Sequence, residues 1–181
     1  RRYFKDEVVA ITLFAVFLAS NAVEYIAIEA GQSHAYILFM YALMIWLTVH
    51  WHERPKKYLA FFIGATIGLA TIMRPTELII LLLPLLWNTH DKTTAREKWG
   101  LVKAHKTHVY LAILGAFLGA LPQMIYWMYT TGSPFYSIGS KWYFLNPYFR
   151  VIVGWQKGWF VYTPITIFFV LGLFFMKGKP F

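Results

Sequence analysis

Apolar residues fall into six long runs that are separated by polar connections. A helix needs about 20 mostly apolar residues to cross a membrane, with roughly 17–25 tolerated. The six runs are residues 8–28, 33–50, 58–73, 76–88, 109–130 and 160–176. The fourth is short, so its helix must extend into the flanks, tilt, or pack among other helices. The pattern predicts an all-α fold, a polytopic transmembrane helical bundle of about six spans.

Lysines and arginines are distributed unevenly between the two sides that six alternating spans define. One side receives 13 of them, Arg1, Arg2, Lys5, Arg54, Lys56, Lys57, Lys92, Arg96, Lys98, Lys103, Lys106, Lys177 and Lys179. The other side receives 4, Arg74, Lys141, Arg150 and Lys157. Cytoplasmic connections carry the excess of Lys and Arg in membrane proteins. Both ends of the chain are therefore predicted to be cytoplasmic, and the side of Arg74 periplasmic or extracytoplasmic.

Composition agrees with this prediction. The 181 residues are 59% hydrophobic and 14% charged, whereas soluble domains average about 45–50% apolar and about 25% charged. The orientation bias explains the net charge of +9, so we expect membrane lipids and no nucleic acid as partners. Cysteine is absent, which excludes disulfides and thiolate metal sites. Because the chain starts without methionine and stops soon after an apolar run, we interpret residues 1–181 as part of one larger transmembrane domain.

Arg74 and Pro75 stand where the third run meets the fourth. Proline ends a helix and favours the first position of the next one, which predicts a tight turn. In one interpretation Arg74 reaches the membrane interface and pairs with Glu77. In the other, its planar guanidinium beside a helix N-terminus binds a phosphate. Local sequence leaves both interpretations open.

Glu24, Glu29 and His34 surround the end of the first run. Glu29 and His34 would face each other across a turn at residues 31–32, with Ser33 capping the next helix. Glu29 and His34 could bind a metal ion together, but a third ligand is missing, so hydrogen bonding at the membrane interface explains the two residues more simply. Glu24 lies deeper in the run and needs a partner or a wet cavity.

The stretch 131–159 is long for a connection and rich in aromatic residues. Aromatic belts mark any membrane interface, but loops of this length are usually functional or disordered. We predict an external aromatic-rich loop that packs on the surface. Its cations Lys141, Arg150 and Lys157 lie on the disfavoured side, which favours an anionic ligand.

Soluble-enzyme signatures are absent from the sequence. It contains no Gly-rich phosphate loop, no G-x-S-x-G and no H-E-x-x-H. The segments GATIG (64–68) and GAFLGA (115–120) instead predict small-residue faces for close helix packing.

Three motifs on the predicted external side resemble one enzyme superfamily. They are Ser33, His34 and Tyr36 in S-H-x-Y, then Arg74, Pro75 and Thr76 in R-P-T, and finally Gly158, Trp159, Tyr162, Thr163 and Pro164 in G-W-x-x-Y-T-P. Their order resembles the bacterial C-type (GT-C) membrane glycosyltransferases. That superfamily includes the dolichyl-phosphate-mannose protein mannosyltransferases and the aminoarabinose transferases of lipid A.

The resemblance implies an enzyme of the bacterial cytoplasmic membrane that transfers a sugar from a polyprenyl-phosphate donor. Transfer would occur at the external face, to a protein, lipid or glycan acceptor. The family's general base is an acidic residue in a first external loop, which nothing here matches, so it is expected upstream of Arg1. No cofactor is predicted, and no divalent metal site is supported.

The same resemblance assigns roles to the unusual residues. Cations stabilise the negative charge that develops on the leaving phosphate. Arg74 is the first candidate, Lys157 the second and Arg150 the third. Further substrate-site candidates are Glu29, His34, Glu77 and Tyr162.

Two other functions fit much of the pattern. A transporter or flippase for a lipid-linked or anionic solute would explain the membrane charges and aromatic residues. It predicts ionisable residues inside several spans, whereas here the charges cluster at one external rim. A polysaccharide polymerase or ligase would share the lipid-linked substrate.

Overall fold

The computed structural model describes residues 4–28, 31, 33–135, 148–155 and 158–175. Within these ranges the chain forms helices and turns and no strand, so the all-α prediction is confirmed for them. The chain divides into two compact units. We call Tyr36–Ile138 the central unit, and Arg1–Ala35 with Gly139–Phe181 the terminal unit.

The α-helices of the described ranges are numbered in chain order. They are α1 Asp6–Ala19, α2 Ser33–Glu53, α3 Lys57–Met73, α4 Leu82–Leu86, α5 Lys92–Ala104, α6 Lys106–Thr131, α7 Tyr148–Val153, α8 Trp159–Tyr162 and α9 Ile165–Phe175. A π-helical turn covers Glu24–Ile28, and a 3₁₀-helix covers Pro75–Leu81.

Two of these helices, α2 and α6, are long and apolar enough to cross a membrane. In their most apolar windows only 17% and 6% of the residues are buried inside the protein. Such outward-facing apolar surface indicates association with a membrane rather than a place in a soluble core. The other apolar helices are shorter, so the arrangement of six spans stays a prediction.

The core of the central unit is formed by α2, α3 and the segment Pro75–Leu86. Met44 and Leu47 of α2 belong to one cluster of buried residues with Ala60 and Ile63 of α3, and Ile80 of the 3₁₀-helix is fully buried in the same cluster. Leu85 lines the same cleft as Ala60 and Ile63, in the first half of α3. The segment that begins directly after α3 therefore runs back along it.

Glycines bring α3 and α6 into backbone contact. A Cβ built on Gly64 or Gly68 would overlap the carbonyl oxygens of Ala112 or Ala116 in α6. A Cβ on Gly119 would come within 2.6 Å of the Ala65 carbonyl oxygen in α3. The close packing predicted from the two small-residue segments is confirmed. Because the contacts advance in the same direction on both helices, α3 and α6 run parallel.

In the terminal unit, two predicted apolar runs are interrupted. After α1 the chain bends at Ser20, whose Oγ accepts from the Ala22 N–H (3.3 Å), before the π-helical turn. The last run is divided into α8 and α9 at Thr163 and Pro164. Proline lacks an N–H and disfavours helical geometry at the preceding residue, and Thr163 has non-helical φ and ψ of −133° and 69° at this second break.

Candidate functional site

Arg74 stands in a turn whose backbone is fixed on both sides. It is the C-cap of α3 with extended φ and ψ of −149° and 125°, and its N–H donates to the Ala70 carbonyl (3.1 Å). Its own carbonyl accepts from the Glu77 N–H (2.9 Å). Pro75 opens the 3₁₀-helix, as predicted from the sequence. Arg74 as a whole is half-buried, and its side chain extends from a backbone that hydrogen bonds hold on both sides.

Glu77 is tied to a different helix through its side chain. Its Oε2 accepts a hydrogen bond from the Tyr41 hydroxyl of α2, at 2.9 Å and across 36 positions of sequence. Both side chains are half-buried. Hydrogen bonds that involve a charged group are stronger than neutral ones. The pair thus holds the carboxylate in place next to the Arg74 turn.

Tyr41 was absent from the residues selected by sequence. The spacing of Tyr41, Met44, Thr48 and Trp51 does place them on one face of α2, and the last three are buried. The sequence does not show which face of α2 is buried, however, because α2 is apolar on every side. Glu77 was found as the acidic neighbour of Arg74, while its partner depends on how two helices pack.

His34 lies in the first turn of α2, within the terminal unit. Its ring is 4.3 Å from the ring of Tyr25, centroid to centroid, with the planes inclined by 30°. Tyr25 belongs to the π-helical turn, as does the exposed Glu24. The S-H-x-Y motif is therefore held by an aromatic contact to the end of the preceding apolar run.

Tyr162 ends the short helix α8, and its side chain is exposed. Close backbone contact precedes it, because the Gly158 N–H donates to the Gly154 carbonyl at 2.6 Å and a Cβ on Gly158 would overlap that backbone. Thr163 donates its N–H to the Trp159 carbonyl (2.9 Å) and Pro164 follows. The G-W-x-x-Y-T-P motif thus forms one helical turn with a glycine that tolerates no side chain.

The other predicted site residues lie in the terminal unit or outside the described residues. Arg150 lies in α7, whereas Glu29, Lys157 and Lys141 lie outside the described residues, together with the middle of the predicted external loop, 136–147. Of the candidates, Arg74 and Glu77 belong to the central unit, and His34 and Tyr162 to the terminal unit. The structure brings Arg74 and Glu77 together through the hydrogen bond between their backbones.

This arrangement offers a guanidinium, a carboxylate and a phenol near one turn. A guanidinium matches a phosphate with two parallel hydrogen bonds. A carboxylate that is already oriented by a phenol can accept from a sugar hydroxyl. Among the described residues, no three His, Asp or Glu side chains are grouped as ligands for a metal ion.

Comparison with protein-family models, with curated protein sequences and with solved structures finds no match for the chain.

Proposed function

We propose that the chain belongs to an integral-membrane glycosyltransferase of the bacterial cytoplasmic membrane. It transfers a sugar from a polyprenyl-phosphate donor to an acceptor at the external face. The motifs that resemble the C-type glycosyltransferases support the reaction. The apolar, outward-facing surfaces of α2 and α6 support the membrane location.

The observation that carries the proposal is the fixed turn at Arg74. Its backbone is bonded to α3 on one side and to Glu77 on the other. Tyr41 holds the Glu77 carboxylate from α2. Electrostatic catalysis depends on groups that are already in position before charge develops. Arg74 is proposed to bind the phosphate of the donor, and Glu77 to orient the sugar.

The proposed reaction exchanges one bond at the anomeric carbon of the sugar. The bond from this carbon to the phosphate oxygen breaks, and its electron pair leaves with the polyprenyl phosphate. An acceptor hydroxyl forms the new bond and passes its proton to a general base, a role we assign to no residue of this chain. The guanidinium of Arg74 acts on the leaving group, where negative charge grows.

The packing of the central unit agrees with the proposed orientation. Neighbouring helices α3 and α6 run parallel, as two odd-numbered spans in a regular alternation must. In the sequence between α3 and α6, the segment Pro75–Leu86 runs back along α3. Arg74 then lies at the opposite end of α3 from Lys56 and Lys57, and α3 spans roughly 25 Å at 1.5 Å per residue.

The test compares two Arg-Pro pairs of the same chain. Arg74→Ala should abolish the release of free polyprenyl phosphate from a polyprenyl-phosphate sugar. Arg54→Ala, before Pro55 at the other end of the helices, is the matched control and should keep the wild-type rate. Arg74→Lys should retain part of the activity, because an ammonium keeps the charge and loses the paired hydrogen bonds.

The proposal fails at this site if Arg74→Ala and Arg54→Ala release polyprenyl phosphate at the same rate. It fails as a whole if wild-type protein binds the donor and turns none over with protein, lipid and glycan acceptors. The second result would favour the transporter or flippase function.

A further inference from the structure

An apolar cleft of about 230 Å³ opens on the central unit between the C-terminal end of α2 and helices α3, α4, α5 and α6. Its walls consist mainly of aliphatic and aromatic side chains, among them Ile63, Leu85, Trp99 and Val109. The cleft lies beside α5 and the N-terminal halves of α3 and α6, where lysines are concentrated in the sequence. The Arg74 turn lies beyond the other end of α3.

Lys98 of α5 brings a positive charge into this apolar cleft. Its side chain is only 4% exposed, and Nζ donates a hydrogen bond to the Leu85 carbonyl at the end of α4. No carboxylate in the described part of the chain forms an ion pair with Lys98. An ammonium has three donors, and burial without a counter-charge is costly. Burial accordingly lowers the pKa of Lys98, and an anion in the cleft would compensate the charge.

Two histidines in the same cleft provide further polar groups. His108 Nδ1 accepts from the Trp51 indole N–H at 3.1 Å, so the neutral ring carries its proton on Nε2 and can donate from there. His52 Nδ1 lies 2.8 Å from the Thr48 carbonyl, so the neutral ring is protonated on Nδ1 and Nε2 is an acceptor. Among the described residues this buried Nε2 has no hydrogen-bond partner.

We propose that the cleft binds one anionic phospholipid of the inner leaflet. The lipid phosphate accepts from Lys98 and His108, an acyl chain lies along the apolar walls, and a headgroup hydroxyl donates to His52 Nε2. The apolar walls favour a phospholipid over free phosphate, because free phosphate would leave them exposed to water. This inference rests on the membrane location and on the predicted cytoplasmic side of α5, not on sugar transfer, so it can fail while the transferase proposal stands.

Native mass spectrometry tests the proposed lipid binding. The purified protein is placed in mixed micelles of three lipids, and the lipid that it retains is identified by mass. Phosphatidylglycerol, which is anionic and carries headgroup hydroxyls, should be retained best. Phosphatidylmethanol, which is anionic without a headgroup hydroxyl, should follow, and phosphatidylcholine should be retained least. Lys98→Gln should lower retention of phosphatidylglycerol about tenfold, since a charge-assisted hydrogen bond is lost. Lys103→Gln, at an exposed position of the same helix, should change nothing.

A second pair of variants tests the cleft without touching Lys98. Val109→Trp should block the cleft, because Val109 lines it and is 41% exposed. Ile113→Trp lies one turn further along α6, outside the lining, and should retain the lipid. Equal retention of phosphatidylcholine and phosphatidylglycerol would overturn the proposal, as would full retention by both Lys98→Gln and Val109→Trp. Displacement of the lipid by millimolar inorganic phosphate would overturn the choice of a phospholipid.

Discussion

The hydroxyl of Tyr41 donates a hydrogen bond of 2.9 Å to Oε2 of Glu77. This contact joins the middle of α2 to the first turn after Arg74. The Glu77 N–H in turn donates to the Arg74 carbonyl. One residue therefore connects α2 to the turn through its side chain and fixes the turn through its backbone. The proposed phosphate site depends on this connection.

Tyr41→Phe should destabilise the protein by about 1.5 kcal/mol, because the Glu77 carboxylate loses a hydrogen bond and stays half-buried. Sugar transfer should fall as well if Glu77 orients the sugar. Thermal unfolding in detergent measures the first effect. Tyr110→Phe, on an exposed part of α6, is the control and should leave the unfolding temperature unchanged. A double-mutant cycle with Glu77→Ala, which removes the acceptor, would show that the hydrogen bond contributes nothing if it returned no coupling energy.

Gly64→Ala should destabilise the protein by about 2 kcal/mol or more, since the added Cβ overlaps the Ala112 backbone and forces α3 and α6 apart. Gly100→Ala is the matched control, because a Cβ there meets nothing within 4 Å. In the helix α5 this change should raise stability by up to about 1 kcal/mol. Equal effects of both changes on the unfolding free energy would contradict the close packing of α3 and α6.

Single cysteines can report the orientation, because the chain has none of its own. Ser133→Cys follows the C-terminus of α6, and Lys103→Cys lies in α5; both positions are exposed. An impermeant maleimide added to intact cells should label Ser133→Cys, and Lys103→Cys should react only after the membrane is opened. Ser133 is preferable to Gly132, whose φ of +72° disfavours a side chain. Labelling of both cysteines from one side would refute the alternating spans.

Asp91 caps the start of α5, and this cap should depend on pH. Its Oδ1 accepts from the N–H groups of Thr93 and Thr94, both at 2.8 Å. Both bonds lower the pKa of Asp91 below its ordinary value of 3.8, and the bond from the Thr94 N–H has the larger effect. The stabilisation is therefore complete above pH 3.8 and disappears as the pH falls through the lowered value.

Hydrogen-exchange protection of the Thr93 and Thr94 amides measures the Asp91 cap. Asp91→Ala should reduce protection at every pH. Asp91→Asn should keep most of it, since asparagine is also a good cap, and should remove the acid-dependent step. An acid-dependent step that persists in Asp91→Asn would assign the titration to another group.

The helices that the sequence predicted well are those that local rules define. Ser33–Glu53 and Lys57–Met73 match their predicted runs closely, because charged residues and proline end the first run and bound the second on both sides, while Gly31 precedes the first. The segment after Pro75 is less regular than predicted, with a 3₁₀-helix followed by a single α-helical turn. Pro75 and Pro84 both lack a donor there. Hydropathy reports that such a segment is apolar and does not report its helix type.

The site was predictable only in part, because its contacts join distant positions. The Arg74 turn followed from Pro75, but Tyr41 reaches Glu77 only once α2 packs beside the 3₁₀-helix. From the sequence, Lys98 is only one of the cations of the predicted cytoplasmic side. It is buried because the last turn of α4 presents the Leu85 carbonyl to it. No local pattern distinguishes Lys98 from the exposed Lys103 of the same helix.

The most direct test of the transferase proposal is the stoichiometry of the reaction in proteoliposomes. The protein is supplied with a polyprenyl-phosphate sugar that is radiolabelled in the sugar, together with candidate acceptors. We predict one free polyprenyl phosphate for each sugar that becomes attached to the acceptor. Intact lipid-linked sugar that crosses the bilayer, with no polyprenyl phosphate released, would contradict a transferase and identify a transporter.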